Sequence, residues 1–256
     1  MQLLNKVTLF VFIAFFMVVI SCQDAKAKDT FGFYYGDIYS DQWNDYENLV
    51  IDIRNYSQDN YSTYLLNTSA RLITYLSIGE TDSLSEGDKQ GPGGYASWDL
   101  DKDRDNFPDR NPIWGSYYVN ANCNAWHDYS LQTLIPEISS NGVRGLFLDT
   151  LDTVDIYPET TNGMLALVTK IRLNYPDYYL VQNRGFTVIN ETAGSINALL
   201  FEEFSSYYDF DTDKYKKWSG SELSYLDQTG TMLSKLKQNY PIDIWTLDYR
   251  QENDND

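Results

Sequence analysis

Seven short apolar runs, separated by helix-length segments, are the feature that most constrains the fold. The runs are rich in β-branched and aromatic residues and are bounded by Gly, Asn, Asp or Pro, which is typical of buried parallel strands. They span residues 31–36, 49–53, 71–78, 143–149, 178–183, 198–203 and 242–248. Helical patterns lie between several of the runs, at residues 130–140, 161–174 and 222–239. Strand–helix repetition of this kind predicts a parallel sheet with right-handed crossovers.

The repetition is compatible with a closed barrel or with an open, doubly wound sheet. No Gly-rich phosphate-binding motif follows the first run, so the open dinucleotide-binding sheet lacks its usual signature. At 256 residues, the chain has the size of an α/β barrel with one domain. We therefore predict a single (β/α)8 TIM-type barrel over residues 30–256, with a long loop insertion at 80–126. Only a polar tail follows the seventh run, so the last β/α unit is either incomplete or hidden from the pattern.

The residues before the barrel have the pattern of an export signal. Lys6 precedes the apolar run 7–20, which is too short to span a membrane and has the length of a signal-peptide core. Val19-Ile-Ser-Cys22 resembles a bacterial lipobox, which predicts a signal peptide over 1–22, lipidation of Cys22 and a linker over 23–29. Cleavage after Ala27 is the alternative. Both predict export, and lipidation predicts an anchored lipoprotein at the cell surface or in the periplasm.

Charge and residue usage exclude several classes of protein. The formal net charge of −18 should repel nucleic acid and other polyanions and should attract cations. The single histidine, His127, argues against a zinc site built from histidines. The two cysteines, Cys22 and Cys123, do not suggest a disulfide framework. We expect a monomer that has no nucleic-acid partner and requires no cofactor.

Acidic and amide residues cluster at the carboxyl ends of the predicted strands. They are Glu80, Asp149, Asp152, Asn183, Glu202, Glu203 and Asp248. The strand ends of a parallel barrel converge on one mouth, where TIM-barrel enzymes place their active sites. Asp and Asn also end strands as turn and cap residues, so no single position is diagnostic. Two carboxyl groups across a mouth suit glycosidic cleavage, because one protonates the leaving oxygen while the other attacks the anomeric carbon or activates water.

Five of these strand ends, read in chain order, also match a known set of motifs. They are Ser77-Ile-Gly-Glu80, Gly145-Leu-Phe-Leu-Asp-Thr-Leu-Asp152, Gln182-Asn183, Phe201-Glu-Glu203 and Leu247-Asp-Tyr249. Over about residues 30–249, they resemble glycoside hydrolase family 114, the endo-α-1,4-polygalactosaminidase-like TIM barrels. The resemblance implies cleavage of a galactosamine-containing exopolysaccharide. It also implies a catalytic pair, and a substrate-binding set of Tyr35 (or its neighbour Tyr34), Glu80, Asp152, Asn183, Glu203, Asp248 and Tyr249.

The implied catalytic pair is Asp149 and a glutamate at the end of the sixth run, either Glu202 or Glu203. Neighbouring residues of a strand point to opposite faces, so only one of the two glutamates can face the mouth. Glu202 fits the family's motif better. We therefore expect Asp149 to act as nucleophile or electrostatic partner and Glu202 as acid/base, while retention or inversion of the anomeric configuration stays open.

The insertion carries two further patterns. Asp101, Asp103, Asp105 and Asp109 alternate as the oxygen ligands of a calcium ion do, although the central Gly and closing Glu of an EF-hand are absent. We expect either a structural calcium ion or a solvated acidic loop. A set of aromatic residues nearby either forms a sugar platform or packs the insertion onto the barrel: Trp98, Trp114, Tyr117 and Trp126.

Two functions other than catalysis stay compatible with the sequence. One is a surface lipoprotein that binds carbohydrate with the same barrel but does not turn it over. The other is a surface adhesion protein stabilised by calcium. A separation of the Asp149 and Glu202 carboxyl groups far outside roughly 5–10 Å, or a Glu202 that points into the core, would favour the non-catalytic barrel.

Overall fold

The computed structural model of the chain describes residues 30–36, 41–55, 67–82, 84, 87–139 and 143–249. The predicted signal peptide, Cys22, the alternative cleavage site and the linker all lie outside these residues. Across the described ranges, none of the helices has the length and apolar character needed to span a membrane.

Among the described residues, seven parallel strands form the central sheet, and four short strands form two antiparallel pairs in the loops after the third and sixth strands of that sheet. The strands are β1 (Phe31–Tyr34), β2 (Asn48–Ile51), β3 (Arg71–Ser77), β4 (Glu80–Thr81), β5 (Tyr117–Tyr118), β6 (Gly145–Asp149), β7 (Tyr179–Asn183), β8 (Ala198–Glu202), β9 (Ser206–Asp209), β10 (Lys214–Lys217) and β11 (Asp243–Leu247). The central sheet has the order β1-β2-β3-β6-β7-β8-β11 and is parallel throughout. Chain order is therefore kept around the sheet, as in a barrel.

Helices lie between the later strands. They are α1 (Asn124–Tyr129), α2 (Ile135–Ser139), α3 (Thr153–Ile156), α4 (Thr161–Asn174), α5 (Ile189–Thr192) and α6 (Ser221–Asn239). A π-helical segment, Ser130–Leu134, joins α1 to α2. Short 3₁₀ segments occupy Asp41–Asp45, Ile53–Asn55, Pro92–Gly94, Pro158–Thr160 and Ala193–Ser195. The helices predicted from periodicity at 161–174 and 222–239 are thus confirmed to within one residue.

Helix α4 shows why the periodic pattern was informative. Its buried side chains include Met164, Leu167, Val168 and Ile171, which recur at the spacing of one helical face. Each such side chain, once removed from water, stabilises the fold by about 1.5–3 kcal/mol. The helix ends at Asn174, two residues before Pro176, which cannot continue a helix.

Alternate residues of the central strands contribute to two different hydrophobic cores. One core fills the inside of the barrel and contains Val50, Ile73, Phe147, Val181, Ala198, Leu200 and Trp245. The other core lies between the strands and the helices and contains their neighbours, such as Ile51, Leu148 and Leu199. The side chain of every second strand residue therefore points into the barrel.

Within the described residues, seven strands nearly close the barrel, where a complete TIM barrel has eight. Strands β1 and β11 are the two edges of the sheet, and no described strand pairs with both of them. Instead, the rings of Phe31 and Trp245 stack across this seam, with centroids 4.6 Å apart and planes 5° apart. The predicted TIM-type barrel is confirmed, and two aromatic side chains lie at its seam.

Two loops extend the mouth of the barrel. The insertion at 80–126 contains the antiparallel pair β4–β5 and buries Trp98 and Trp126, so these two aromatic residues pack it onto the barrel. The indole of Trp126 also donates to the carbonyl oxygen of Ile78 at 2.9 Å. The second loop follows β8 and forms the hairpin β9–β10, which the sequence pattern did not predict.

Candidate active site

Strand alternation brings three polar residues to the centre of the barrel mouth. Asp149, Asn183 and Glu202 are the last residues of β6, β7 and β8. Each lies two residues after a side chain of the inner core, so all three share the inward-facing side of the sheet. The neighbouring strands β6, β7 and β8 therefore deliver two carboxylates with an amide between them.

The Asn183 amide joins the two carboxylates directly. Its Nδ2 donates one hydrogen bond to Asp149 Oδ1 and another to Glu202 Oε2, each 2.8 Å long. Because both oxygens lie 2.8 Å from one nitrogen, they are no more than twice that distance apart. Asn183 is buried, and its Oδ1 has no hydrogen-bond partner among the described residues. Both amide hydrogens are therefore committed to holding the carboxylate pair.

Two tyrosines complete the contacts of the pair. Tyr75, on β3, donates its hydroxyl to Asp149 Oδ2 at 2.8 Å, and Tyr249, just after β11, donates its hydroxyl to Glu202 Oε1. Burial, reinforced by the negative charge of Asp149, raises the pKa of Tyr75, and burial with the charge of Glu202 raises the pKa of Tyr249. Both hydroxyls therefore keep their protons and act as donors. Each carboxylate is oriented by one tyrosine and by Asn183.

The half-exposed Tyr35 lies beside the pair. Its pKa is raised by burial and then by the charges of Asp149 and Glu202, which places its hydroxyl within the field of both carboxylates. Its ring contacts the ring of Tyr75 edge to face, with centroids 6.1 Å apart. Tyr35 therefore lies at the mouth, and its contact with a substrate stays a prediction.

The chain turns in the same unusual way after each of the three central residues. Thr150, Arg184 and Glu203 have φ angles of 63°, 47° and 59°. These values lie in the left-handed region, which costs a non-glycine residue about 1–2 kcal/mol. Strain of this type concentrates at functional sites, where the surrounding structure maintains it. The turns remove the following residues from the strand alternation and leave Asp149, Asn183 and Glu202 at the mouth.

Glu202 and Glu203 consequently have different partners. Glu203 accepts a hydrogen bond from Arg184 Nη1 at 3.2 Å, and Arg184 Nε lies 4.0 Å from the Asp152 carboxylate. We call Asp152, Arg184 and Glu203 the arginine-bridged cluster. Burial raises the pKa of Glu203, and burial raises the pKa of Asp152 to about 6, with Arg184 opposing the effect and Asp149 adding to it. Glu202 shares the Asn183 amide with Asp149, whereas Glu203 is hydrogen-bonded to Arg184.

Two of the predicted substrate-binding residues hold loops in place. Glu80 accepts hydrogen bonds from Asn111 Nδ2, at 3.0 Å, and from the Ser116 hydroxyl, both in the insertion. Asp248 accepts bonds from the backbone N–H groups of Ser205 and Ser206 at the base of the β9–β10 hairpin. Neither carboxylate is hydrogen-bonded to the central pair. Contact of Glu80 or Asp248 with a sugar therefore stays a prediction.

Several residues of the mouth were not identified from the sequence. Tyr75 and Arg184 are described above, and Asp52 and Arg54 form a second cluster with Asp82. Arg54 lies over the Tyr75 ring, 5.6 Å from its centroid, and so connects this second cluster to the pair. Alternation from Ser77 would have placed Tyr75 inside the barrel, and Asp52 directly follows β2 as the other carboxylates follow their strands.

The predicted calcium ligands are only partly brought together. Carboxylate oxygens of Asp101, Asp103 and Asp105 lie within 4.8 Å of one another. Asp109 instead accepts hydrogen bonds from the Lys102 N–H, at 2.9 Å, and from the Tyr157 hydroxyl, at 3.0 Å. A calcium ion bound by the first three residues stays a prediction, which isothermal titration with calcium would test.

The chain is similar to known proteins in sequence and in fold. The sequence model of glycoside-hydrolase family GH114 matches residues 21–249 of this chain. The glycoside hydrolase domain of PelA from Pseudomonas aeruginosa is 20% identical, with a TM-score of 0.67 over 86% of this chain and 84% of that one. The complex of Aspergillus fumigatus Ega3 with galactosamine is 14% identical, with a TM-score of 0.57 over 88% and 80%. No curated protein sequence matches the chain.

At these identities, the solved structures show a shared fold, while the family match spans the whole described barrel. It includes every strand that contributes to the carboxylate pair. The chain therefore belongs to glycoside hydrolase family GH114.

Proposed function

We propose that this protein is an exported endo-acting glycosidase that cleaves galactosamine-type exopolysaccharide with Asp149 and Glu202. One observation carries the proposal: a single amide nitrogen of Asn183 holds both carboxylates, 2.8 Å from each, at the mouth of the barrel. Membership in a glycoside hydrolase family supports the reaction class. The signal-peptide and lipobox patterns support export and attachment through Cys22.

The short separation of the two carboxylates favours retention of the anomeric configuration. Carboxyl groups lie roughly 5–5.5 Å apart in retaining glycosidases and roughly 6.5–9.5 Å apart in inverting enzymes, which must place a water molecule beside the sugar. The two oxygens bonded to Asn183 lie no more than twice 2.8 Å apart, which favours the retaining arrangement. A double displacement is therefore the mechanism that this geometry supports.

In the first step, Asp149 attacks the anomeric carbon while Glu202 donates its proton to the leaving glycosidic oxygen. The bond between carbon and that oxygen breaks, and a glycosyl ester forms on Asp149. In the second step, Glu202 takes a proton from water, whose oxygen attacks the same carbon and breaks the ester. Tyr75 and Asn183 orient Asp149, and Tyr249 and Asn183 orient Glu202, through both steps.

Charge at the mouth supports an amino-sugar substrate. Asp152 and Glu203 flank the single cation of the arginine-bridged cluster, so this cluster has excess negative charge when both carboxylates are ionised. The whole chain carries a formal charge of −18. A field of this sign concentrates a cationic polymer near the mouth. The solved complex of Ega3 with galactosamine, on the same fold, supports the choice of sugar.

The non-catalytic barrel is less well supported. It would be favoured by widely separated carboxyl groups or by a Glu202 directed into the core. Glu202 is only partly buried, and it shares a hydrogen-bond donor with Asp149. The arrangement therefore supports turnover.

The test is hydrolysis of α-1,4-linked galactosaminan, followed through the release of reducing ends. Asp149→Asn and Glu202→Gln should each abolish hydrolysis without changing the melting temperature. Asp177→Asn is the matched control, since it removes one exposed carboxylate just before β7, at the opposite end of the barrel. Full activity of either variant of the pair would refute the assigned roles.

A further inference from the structure

The insertion and the β9–β10 hairpin meet above the mouth through two aromatic side chains. Trp114 of the insertion and Phe210 of the hairpin contact each other edge to face, with ring centroids 5.2 Å apart and planes at 83°. The insertion follows β3 and the hairpin follows β8, and strands β6 and β7 lie between these two in the sheet. The contact therefore bridges loops on either side of the strands that end in Asp149 and Asn183.

The Trp114 side of this contact is connected to the edge of the mouth. The backbone N–H of Trp114 donates to Asn111 Oδ1 at 3.3 Å, and Asn111 Nδ2 donates to the Glu80 carboxylate at 3.0 Å. The carbonyl oxygen of Glu80 accepts the Ser77 hydroxyl, and Ser77 is the register partner of Asp149. Trp114 is thus held by a short chain of contacts that ends beside one of the two carboxylates.

The Phe210 side is connected to the other carboxylate. At the base of the hairpin, the Ser206 hydroxyl donates to the carbonyl oxygen of Tyr249, whose own hydroxyl donates to Glu202. The ring of Tyr207 stacks on Trp218 with centroids 4.0 Å apart, and the Trp218 indole donates to the Glu203 carbonyl oxygen at 2.7 Å. The hairpin is therefore fixed at the end of β8.

Both rings are exposed although they lie in a well-anchored part of the molecule. Trp114 is 70% exposed and Phe210 is 53% exposed, whereas Trp98 and Trp126 of the same insertion are 4% and 1% exposed. An edge-to-face contact leaves ring surface open, and exposed aromatic surface beside a binding site is typical of ligand contact. The insertion thus keeps two tryptophans for packing and presents the third to solvent.

We propose that Trp114 and Phe210 form a distal subsite for pyranose rings of an amino-sugar polymer, away from the scissile bond. The proposal rests on the proposed function for the identity of the polymer. The apolar C–H face of a pyranose packs on an aromatic ring, and a protonated amino group gains attraction from the ring's π electrons. The subsite engages only chains long enough to extend from the catalytic pair to the rim, and so gives the protein a preference for long polymers.

The experiment compares Trp114→Ala and Phe210→Ala with Phe107→Ala, a matched control that removes another exposed ring from the same insertion. The substrates are α-1,4-galactosaminan and its trimer. For the polymer, the first two variants should raise KM about three- to tenfold with little change in kcat. On the trimer, the kcat/KM of these two variants should match the wild type. The kcat/KM of Phe107→Ala should match the wild type on both substrates. Equal losses on polymer and trimer, or no loss on the polymer, would overturn the subsite.

Polymer binding, measured by affinity electrophoresis in the Asp149→Asn background, separates this inference from the proposed function. Weaker polymer binding after Trp114→Ala supports the subsite even if the wild type hydrolyses nothing, in which case the proposed function alone fails. Unchanged polymer binding after Trp114→Ala overturns the subsite. So does an absence of polymer binding by the Asp149→Asn protein that still has Trp114. If the wild type still hydrolyses the trimer in that case, the proposed function stands.

Discussion

Two groups of carboxylates lie at the same mouth, and they differ in the groups that donate hydrogen bonds to them. Asp149 and Glu202 accept hydrogen bonds from side chains at the barrel mouth, namely Asn183, Tyr75 and Tyr249. Glu80 and Asp248 accept theirs from the loops that they hold. All four follow or end a strand, so position along the chain does not separate them. The donors separate a pair that is held at the centre of the mouth from carboxylates that stabilise loops.

The arginine-bridged cluster is intermediate between these groups. Asp152 and Glu203 face a cation rather than a loop, and they stay half-buried near the pair. Carboxylates of this kind can exchange part of an ion pair for contact with a cationic ligand. The comparison, with the bridging amide included, therefore predicts four sizes of effect on activity, and the following substitutions test that order.

Removal of the pair should have the largest effect. We expect Asp149→Asn and Glu202→Gln to lower kcat by at least about 10³-fold, because general acid–base and nucleophilic groups act on the reacting atoms. Glu203→Gln should lower kcat by less than about tenfold, because its carboxylate contacts Arg184 instead of the pair. Initial rates on galactosaminan provide the measurement. If Glu203→Gln were the more damaging of the two glutamine variants, the assignment of Glu202 would be wrong.

Loss of the bridging amide should come next. Asn183→Ala removes the donor shared by Asp149 and Glu202, so both carboxylates lose part of their orientation. We expect kcat to fall about 10²-fold with a smaller change in KM, since misplacement of catalytic groups costs about this much. Gln182→Ala is not a suitable control because Gln182 is buried and bonded to Thr192. Thr187→Ala, an exposed change in the loop after β7, should leave kcat nearly unchanged. A larger change in KM than in kcat would indicate a substrate contact instead.

The cluster should give a smaller effect that depends on pH. The pKa of Asp152 is about 6, so its carboxylate is ionised above this pH and protonated below it. The negative charge offered to an ammonium group therefore decreases as the pH falls through 6. We expect KM for galactosaminan to rise about two- to fivefold between pH 7 and pH 5. In Asp152→Asn, KM should be raised at both pH values. If the KM of this variant still rose between pH 7 and pH 5 as it does in the wild type, the role of Asp152 would be contradicted.

The loop-holding carboxylates should have the smallest effect on chemistry and a larger one on stability. Glu80→Ala leaves the buried Ser116 hydroxyl and the Asn111 amide without their acceptor, which should cost about 1–3 kcal/mol of the free energy of unfolding. Activity on a short oligomer should fall less than about threefold, because Glu80 does not act on the reacting atoms as Asp149 and Glu202 do. Urea denaturation measures the first quantity, with Asp177→Ala as an exposed control. A loss of kcat as large as that of Asp149→Asn would move Glu80 into the catalytic group.

The fold could be read from the sequence because it depends on repeated local patterns. Seven apolar runs became the seven strands of the barrel, and the face of α4 followed its periodicity. The β9–β10 hairpin could not be read in the same way. Its strands, Ser206–Asp209 and Lys214–Lys217, bury only Ser206 and consist of Ser, Tyr, Asp and Lys, so they lack the apolar alternation that predicts a strand.

The site could be predicted only to the level of its strand ends. Alternation gives the inward direction of Asp149, Asn183 and Glu202, but the donors come from β3 and from beyond β11, which are distant in sequence. The positive φ angles of Thr150, Arg184 and Glu203 have no signature in the sequence, because these residues are not glycines, the residue type that usually adopts positive φ. Those turns decide that Glu203 faces Arg184, and only the three-dimensional structure shows them.

The central claim is that Asp149 and Glu202, held by one amide nitrogen, catalyse a double displacement. Nuclear magnetic resonance of the sugar released in the first minutes of galactosaminan hydrolysis tests it directly, because this measurement precedes mutarotation. We predict that the first-formed reducing end has the α configuration of the substrate linkage, as close carboxylates require. A first-formed β product would show that water attacks directly, and it would contradict the double displacement.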